Sequence, residues 1–524
     1  MRRIAYAAAL LAATPLLAGR VQAQTLTAAM AAPVTSIDPH FYNAAPNNGI
    51  ATHIFARLTE RGADAKLEPS LAVSWKPISD TVWEFKLRPN VRWHDGKPVT
   101  ADDVVFSITR GANVPNSPGG FGGMVRAVKK AEAIDPLTVH LHTAGPTPNM
   151  PIDMANFIIV SRHVGQGAAT EDYNSGKAAI GAGPYKLARY ANGDRIELVR
   201  NEDWWGKKPD WDKVVFRFIA NPGARVAALL AGDADIIDVP PAGDLPRLKA
   251  DPKLSVVSIQ GLRLIYIGTS FLTDYSPGFV TDNAGKPLPN NPFLDLKVRQ
   301  ALSLAINRAA ISDRVMQGTA QPTGQWLPPG TFGYAPSVKV PDFAPDRAKA
   351  LLAEAGYPQG FKVTLHTPND RYPNDATTAQ AVAQMWTRIG ITTAVEALPW
   401  NTYAPRSAKH EFAAGIGGWG SNTAEAGYML VNILGTQDKA LGRGASNSRG
   451  YSSAALDTLT DKALATLDDV QREKLLISAV EMATTDQALL PLHMLVNFWA
   501  TKKSIVYDPR MDERTIAMNA HKAP

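Results

Sequence analysis

The sequence contains no cysteine. That excludes disulfides, thiolate metal sites, a cysteine nucleophile and a lipid-bearing N-terminal cysteine. It has no run of Lys and Arg of the kind that marks a nucleic-acid surface, because its basic residues are scattered. Neither a G-x-S-x-G elbow nor a nucleophile with a readable base appears, and His410-Glu411 lacks the second histidine of H-E-x-x-H. Apolar and charged residues make up 45% and 19% of the chain, which argues against both disorder and a polytopic membrane protein. With 524 residues, the chain is long for one core and predicts two or three lobes.

The one apolar run stands at the N-terminus, where Arg2 and Arg3 precede residues 4–18 and Val21-Gln22-Ala23 supplies a small-x-small site. That run is too short to span a bilayer and reads as a cleaved signal peptide, residues 1–23. Cleavage removes Arg2, Arg3 and Arg20, so the formal charge of +6 becomes +3. The expectation is a soluble, monomeric periplasmic protein with no nucleic-acid partner.

The most organised stretch is 361–428. Residues 361–366 alternate like a half-buried strand, 376–388 carry helical spacing through Ala379, Val382, Ala383 and Trp386, and 391–398 form a second strand. A short helix near 403–408 and an extended run at 412–416 complete a parallel α/β unit. Ligands of such units lie at the carboxyl ends of the strands, here 367–374, 399–403 and 417–426. Those loops carry Arg371, Trp400, Tyr403, Trp419, Asn422 and Glu425, flat rings beside polar anchors. Tyr42 and Asn43, between an N-terminal turn and the helix expected at 48–58, join them as candidate ligand contacts.

Several patterns point elsewhere. Gly415, Gly417 and Gly420 satisfy G-x-G-x-x-G, with Asp438 near the distance of a ribose-binding acid. A tryptophan inside the motif leaves no room for a pyrophosphate, so a glycine-rich strand exit that lets Trp419 project is expected instead. His140 and His142 share one strand face and read as solvated histidines while Val139 and Leu141 face the core. Asp102 and Asp103 open a helix capped by Thr100. Gly119–Gly123 lacks a following Lys-Ser/Thr and reads as a flexible turn. No catalytic residue, metal site or cofactor is predicted.

Residues 70–108, containing TVWEFKLRPNVRWHDGKPVTADDVVFSI, closely resemble the signature of the extracellular solute-binding proteins of the dipeptide/oligopeptide class, family 5, which serve ABC importers. Six further matches follow in order: IGAGPYKL at 180–187, RNEDWW at 200–205, ALLAGDADI at 228–236, VRQALSLAINR at 298–308, DRAKALLAEAGY at 346–357 and GYSSAALD at 450–457. The resemblance implies an α/β, two-lobed periplasmic-binding-protein (Venus-flytrap) fold with an additional inserted lobe and mixed sheets flanked by helices. Lobe I would comprise 24–65, 175–273 and 486–524, lobe II 66–174, and lobe III 274–485, with hinge crossings near 270 and 490. It implies a peptide or peptide-like ligand and a permease partner in the inner membrane; opines, oligosaccharides and metal chelates are alternatives, and a secreted hydrolase is the rival of another class. In peptide-binding members an Asp shortly after the Trp of the Gly-Trp motif pairs with the ligand ammonium, and a basic residue near Arg371 faces its carboxylate. Here Asn422 stands at the Asp position, so either Glu425 has taken over or the ligand lacks a conventional free amine.

Overall fold

The computed structural model describes residues 24–273, 279–421 and 423–524. The signal segment and Asn422 lie outside these residues. So does 274–278, part of the Pro/Gly/Asn-rich excursion.

A twelve-stranded mixed sheet runs through the molecule. Its order is Tyr185–Ala191, Arg195–Arg200, Lys213–Phe218, Thr25–Met30, Ile236–Asp238, Leu490–Lys502, Leu254–Thr269, Ala414–Gly420, Phe361–Pro368 and Val280–Thr281. Ala320–Pro322 pairs with Leu490–Lys502, and Ile391–Leu398 with Phe361–Pro368. A separate antiparallel sheet is formed by Ala72–Ser79, Val82–Leu87, Thr138–Thr143 and Val128–Asp135. It has its own core, in which Trp83, Phe85 and Leu87 alternate inward and meet Val139 and Leu141. On the other face His140 and His142 lie beside Glu84 (3.3 Å) and Glu132 (3.2 Å).

The expected parallel unit is present. Phe361–Pro368 pairs with Ile391–Leu398 in parallel register from Phe361↔Ile391 to Pro368↔Leu398, and with Ala414–Gly420 at Leu365↔Ala414 and His366↔Gly415. The helix Asp375–Arg388 covers these strands because Ala379, Val382, Ala383 and Trp386 recur every three or four residues and are buried on one stripe. Trp386 is fully enclosed, and its indole N–H donates to the Leu302 carbonyl at 3.1 Å.

Two strands join the halves of the large sheet. Leu254–Thr269 and Leu490–Lys502 pair antiparallel along most of their length. At one end Ile265, Ile267, Leu490 and Leu492 enter a core with Trp386 and Phe361. At the other, Trp499 enters a core with Leu26, Phe55 and Phe216. The packing therefore changes core within the strands, near Gln260–Leu264. There the register slips, with Gln260 opposite Val496 but Leu264 opposite Met494. Gly261 sits in that bulge, where a Cβ would come within 2.7 Å of the Asn497 amide oxygen and 3.0 Å of the Leu495 carbonyl oxygen.

Five histidines, His40, His53, His94, His366 and His493, have pKa values pushed down to about 4, in each case chiefly by burial. The unfolded chain titrates them near 6.5 and so binds more protons than the fold between those values. Their neutral-state contribution is complete above about pH 6.5 and is lost as pH falls toward 4. Urea-unfolding midpoints should therefore be level from about pH 7 to 8 and fall steeply below 6.5. A curve level down to pH 5 would contradict the buried neutral histidines.

Candidate functional site

A cleft of about 950 Å³ lies between the two cores joined by the long strands. One wall comes from residues 30–32, from 42–50, from Asp238 and Val239, and from Arg514 and Thr515; the other comes from the parallel unit and the loop at 445–449. Arg371, Trp400, Tyr403, Trp419, Tyr42 and Asn43 all line it.

Hydrogen bonds between neighbouring loops place Arg371. The Asp375 carboxylate accepts the backbone N–H groups of Arg371 and Tyr372, each at 3.1 Å, while Asp370 accepts the N–H of Trp400 at 2.7 Å and so caps the helix Trp400–Ala408. These bonds tie the first strand-exit loop to the second. The guanidinium of Arg371 consequently lies 5.3 Å from the Trp400 ring centroid and 5.4 Å from that of Tyr372.

Trp400 and Tyr403 stack at 5.9 Å and 20°. Trp400 is 37% exposed, whereas Tyr403 is 3% exposed. Tyr403 thus acts mainly as a support: its hydroxyl donates to the Ile416 carbonyl at 2.6 Å and accepts from Arg449 Nη2 at 3.3 Å. Burial pushes its pKa up to about 12, so the hydroxyl keeps its proton.

The glycine run belongs to a strand, not to an exit loop. Ala414–Gly420 pairs antiparallel with Leu254–Thr269, and Trp419 is opposite Leu264 within the ladder. A Cβ on Gly415 would stand 2.4 Å from Arg449 Nη2, one on Gly417 2.7 Å from the Tyr266 ring, and one on Gly418 2.6 Å from the Tyr372 ring. The glycines accommodate these large side chains, which explains the spacing without a nucleotide. Trp419 is half-buried, packed 5.2 Å from Tyr428, and its indole nitrogen has no hydrogen-bond partner.

The opposite wall contains a strained residue. Val239, a branched residue at φ 43°, is 59% exposed, and its N–H donates to the Phe498 carbonyl at 3.1 Å. Buried Arg225 holds this turn by donating to the carbonyls of Ile219, Ala220 and Val239. Asp238 beside it accepts the Ala31 N–H at 2.8 Å, and burial raises its pKa to about 6.

Glu425 does not reach the cleft, so it is not the replacement amine anchor the sequence allowed. It is 1% exposed, and its carboxylate faces Arg472 at 2.8 Å and the Asn149 amide at 3.0 Å. Arg472 in turn donates to Asn149 Oδ1 at 2.7 Å and lies 4.3 Å from the Phe332 ring centroid. The group lies at a second cavity of about 490 Å³ between segments 61–83 and 148–152 on one side and 330–332 and 423–473 on the other. The sequence reading missed this because the carboxylate's partners lie 47 and 276 residues away along the chain. It also missed Arg449, Tyr266 and Tyr372. The alternating glycines call for bulky neighbours but do not name them.

The family described as bacterial extracellular solute-binding proteins, family 5, matches residues 66–440. Heme-binding protein A of Haemophilus influenzae is 28% identical over 481 residues, covering 86% of this chain and 83% of the relative. The dipeptide-binding protein of Escherichia coli is 27% identical over 522 residues, covering 94% of both chains. Among solved structures, HbpA2 from Haemophilus parasuis is 26% identical with a TM-score of 0.81, over 95% of this chain and all of that one.

Removing the Glu425 carboxylate leaves the buried Arg472 guanidinium with the exposed Asp469 (2.9 Å) as its remaining carboxylate partner, so the loss should be a part of the ~3–5 kcal/mol that a fully uncompensated buried charge costs. Glu425→Ala should therefore lower stability in urea unfolding by part of that amount and leave solute affinity largely intact. Loss of solute binding at unchanged stability would return Glu425 to the solute site.

Proposed function

Because the chain belongs to the bacterial extracellular solute-binding proteins, family 5, we propose that it is the periplasmic receptor of an ABC importer, which closes the 950 Å³ cleft around a peptide-like solute and passes it to a membrane permease. Among the described residues no helix is long and apolar enough to cross a membrane. In this reading 24–65 with 175–273 and 486–524, 66–174, and 274–485 serve as three lobes, with the crossing set inside the two long strands. The protein captures its solute and does not transform it.

The observation that carries the reading is an exposed guanidinium lying against two aromatic rings across an interlobe cleft. Arg371 is held by Trp400 and Tyr372 and oriented by Asp375 and Asp370 before any ligand arrives. A planar fork placed in this way suits a carboxylate. Trp400, Trp419, Tyr42 and Asn43 supply the remaining wall, with Tyr403 behind it. Asn422 takes the place of the acid that pairs with a peptide ammonium in the dipeptide/oligopeptide class, and Glu425 is engaged elsewhere. The cleft therefore favours solutes that are neutral or anionic overall, and a modified peptide or a non-peptide acid fits this charge pattern better than an unmodified dipeptide.

Mass spectrometry of the native protein, purified without refolding, identifies the solute it carries. In calorimetry with that solute, Arg371→Ala should weaken binding at least tenfold, about 1.4 kcal/mol. Asn422→Asp should leave that solute unchanged or weaker and improve binding of dipeptides with a free N-terminus. Tight binding of unmodified dipeptides by the wild type would overturn the charge argument.

Closure supplies an independent test. A solute stabilises the closed state only through its greater affinity for that state, so saturation should reduce the radius of gyration without altering secondary structure. Identical scattering curves with and without the bound solute would remove the hinge.

A further inference from the structure

Four arginines and two carboxylates line the cleft: Arg263, Arg371, Arg449 and Arg514, with Asp238 and Glu513. Most of these charges have a counterpart. Arg263 pairs with Glu513 at 3.2 Å, Arg514 lies 3.7 Å from Asp512, and Asp238 lies 3.7 Å from Arg225 behind the wall. Arg371 and Arg449 remain. Among the described residues neither has a carboxylate within ion-pair distance.

Arg449 is held by neutral groups alone. Its Nη1 donates to the Ser448 carbonyl at 3.2 Å, its Nη2 to the Tyr403 hydroxyl at 3.3 Å, and its guanidinium lies 5.6 Å from the Phe412 ring centroid. The backbone makes room for it from two neighbouring strands. A Cβ on Gly415 would meet Nη2 at 2.4 Å, and one on Gly268 would meet Cγ at 2.9 Å. A half-buried cation with no counter-charge is unfavourable unless an anion arrives. The paired charges on the rest of the wall leave the solute to provide it.

The two free guanidinium groups are attached to different members of the same ring stack. Arg371 lies on Trp400, and Arg449 bonds to the hydroxyl of Tyr403. Each fork matches one carboxylate. We infer that the solute carries two separated carboxylates, one received by Arg371 and the other by Arg449; this rests on the reading of the cleft as the solute site, and makes Arg449 a specificity-determining residue.

Calorimetry on the full mature protein, freed of bound solute, tests this with two matched pairs of probes. One pair shares a peptide scaffold, N-acetyl-alanyl-glutamate against N-acetyl-alanyl-glutamine; the other does not, adipate against its monoamide. The wild type should prefer the dianion at least tenfold in one pair or both. Arg449→Gln should reduce that preference to within about twofold, and Arg449→Lys should restore part of it, with thermal melts showing that both variants fold. A preference confined to adipate would refute the peptide-like reading while upholding the two-carboxylate inference. Binding of the peptide pair without preference, together with no preference for adipate over its monoamide, would do the reverse. Absence of any dianion preference, including absence of binding to all four probes, or a preference that survives in Arg449→Gln, overturns the inference.

Discussion

Everything the cleft can do depends on one crossing, where Leu254–Thr269 and Leu490–Lys502 pass together from one core to the other. Continuous pairing alone would make this a stiff ribbon. The slip between Gln260 and Leu264 interrupts the ladder, and Gly261 lets the bulged backbone lie against Leu495 and Asn497. Asn497 also donates to the carbonyls of Arg510 and Met511, which ties the bulge to the C-terminal segment bearing Glu513 and Arg514. In the proposed closure, a change in backbone angle would be absorbed there while the cores on either side stay close-packed. The cleft opens beside this point and takes one wall from each half.

The walls are built in advance. Arg371, Trp400 and Arg449 are placed by bonds to Asp375, Asp370, Ser448 and Tyr403, and the opposite turn is held by Arg225. The backbone of Arg371 and Trp400 and the side chain of Arg449 are thus ordered beforehand, so less of the contact free energy is spent on ordering them when a ligand arrives. Strain at Val239 belongs to the same arrangement, since its unusual backbone brings an apolar side chain into the cleft beside Asp238.

Periodicity made the parallel unit legible. The stripe Ala379, Val382, Ala383 and Trp386 is dictated by burial against a sheet, and burial is what sequence patterns record. Charge partners leave no such record. Glu425 reads as a cleft residue by its place after the glycine strand, yet its partners are Arg472 and Asn149, brought together only by the fold. Trp419 was expected on an exit loop because glycines suggest turns; the strand keeps them because Tyr266, Tyr372 and Arg449 occupy the space a Cβ would need. The point where the packing changes core is hidden in the sequence for a related reason. A strand that changes cores midway shows the same apolar alternation throughout, so no boundary appears in its residues.

This separation between what holds the fold and what meets the solute allows charge to change without structural cost. Trp386, Trp499 and Phe85 lie in three different cores, and the Arg371 guanidinium lies over Tyr372 at the margin of the first. Glu425, by contrast, is buried against Arg472, whose second carboxylate partner is the exposed Asp469, so its loss would remove the buried half of that cation's compensation. The counter-charge distinguishes Glu425 from Arg371 and Arg449, which among the described residues have no carboxylate within ion-pair distance, and the proposed solute-binding role of the two arginines rests on that difference.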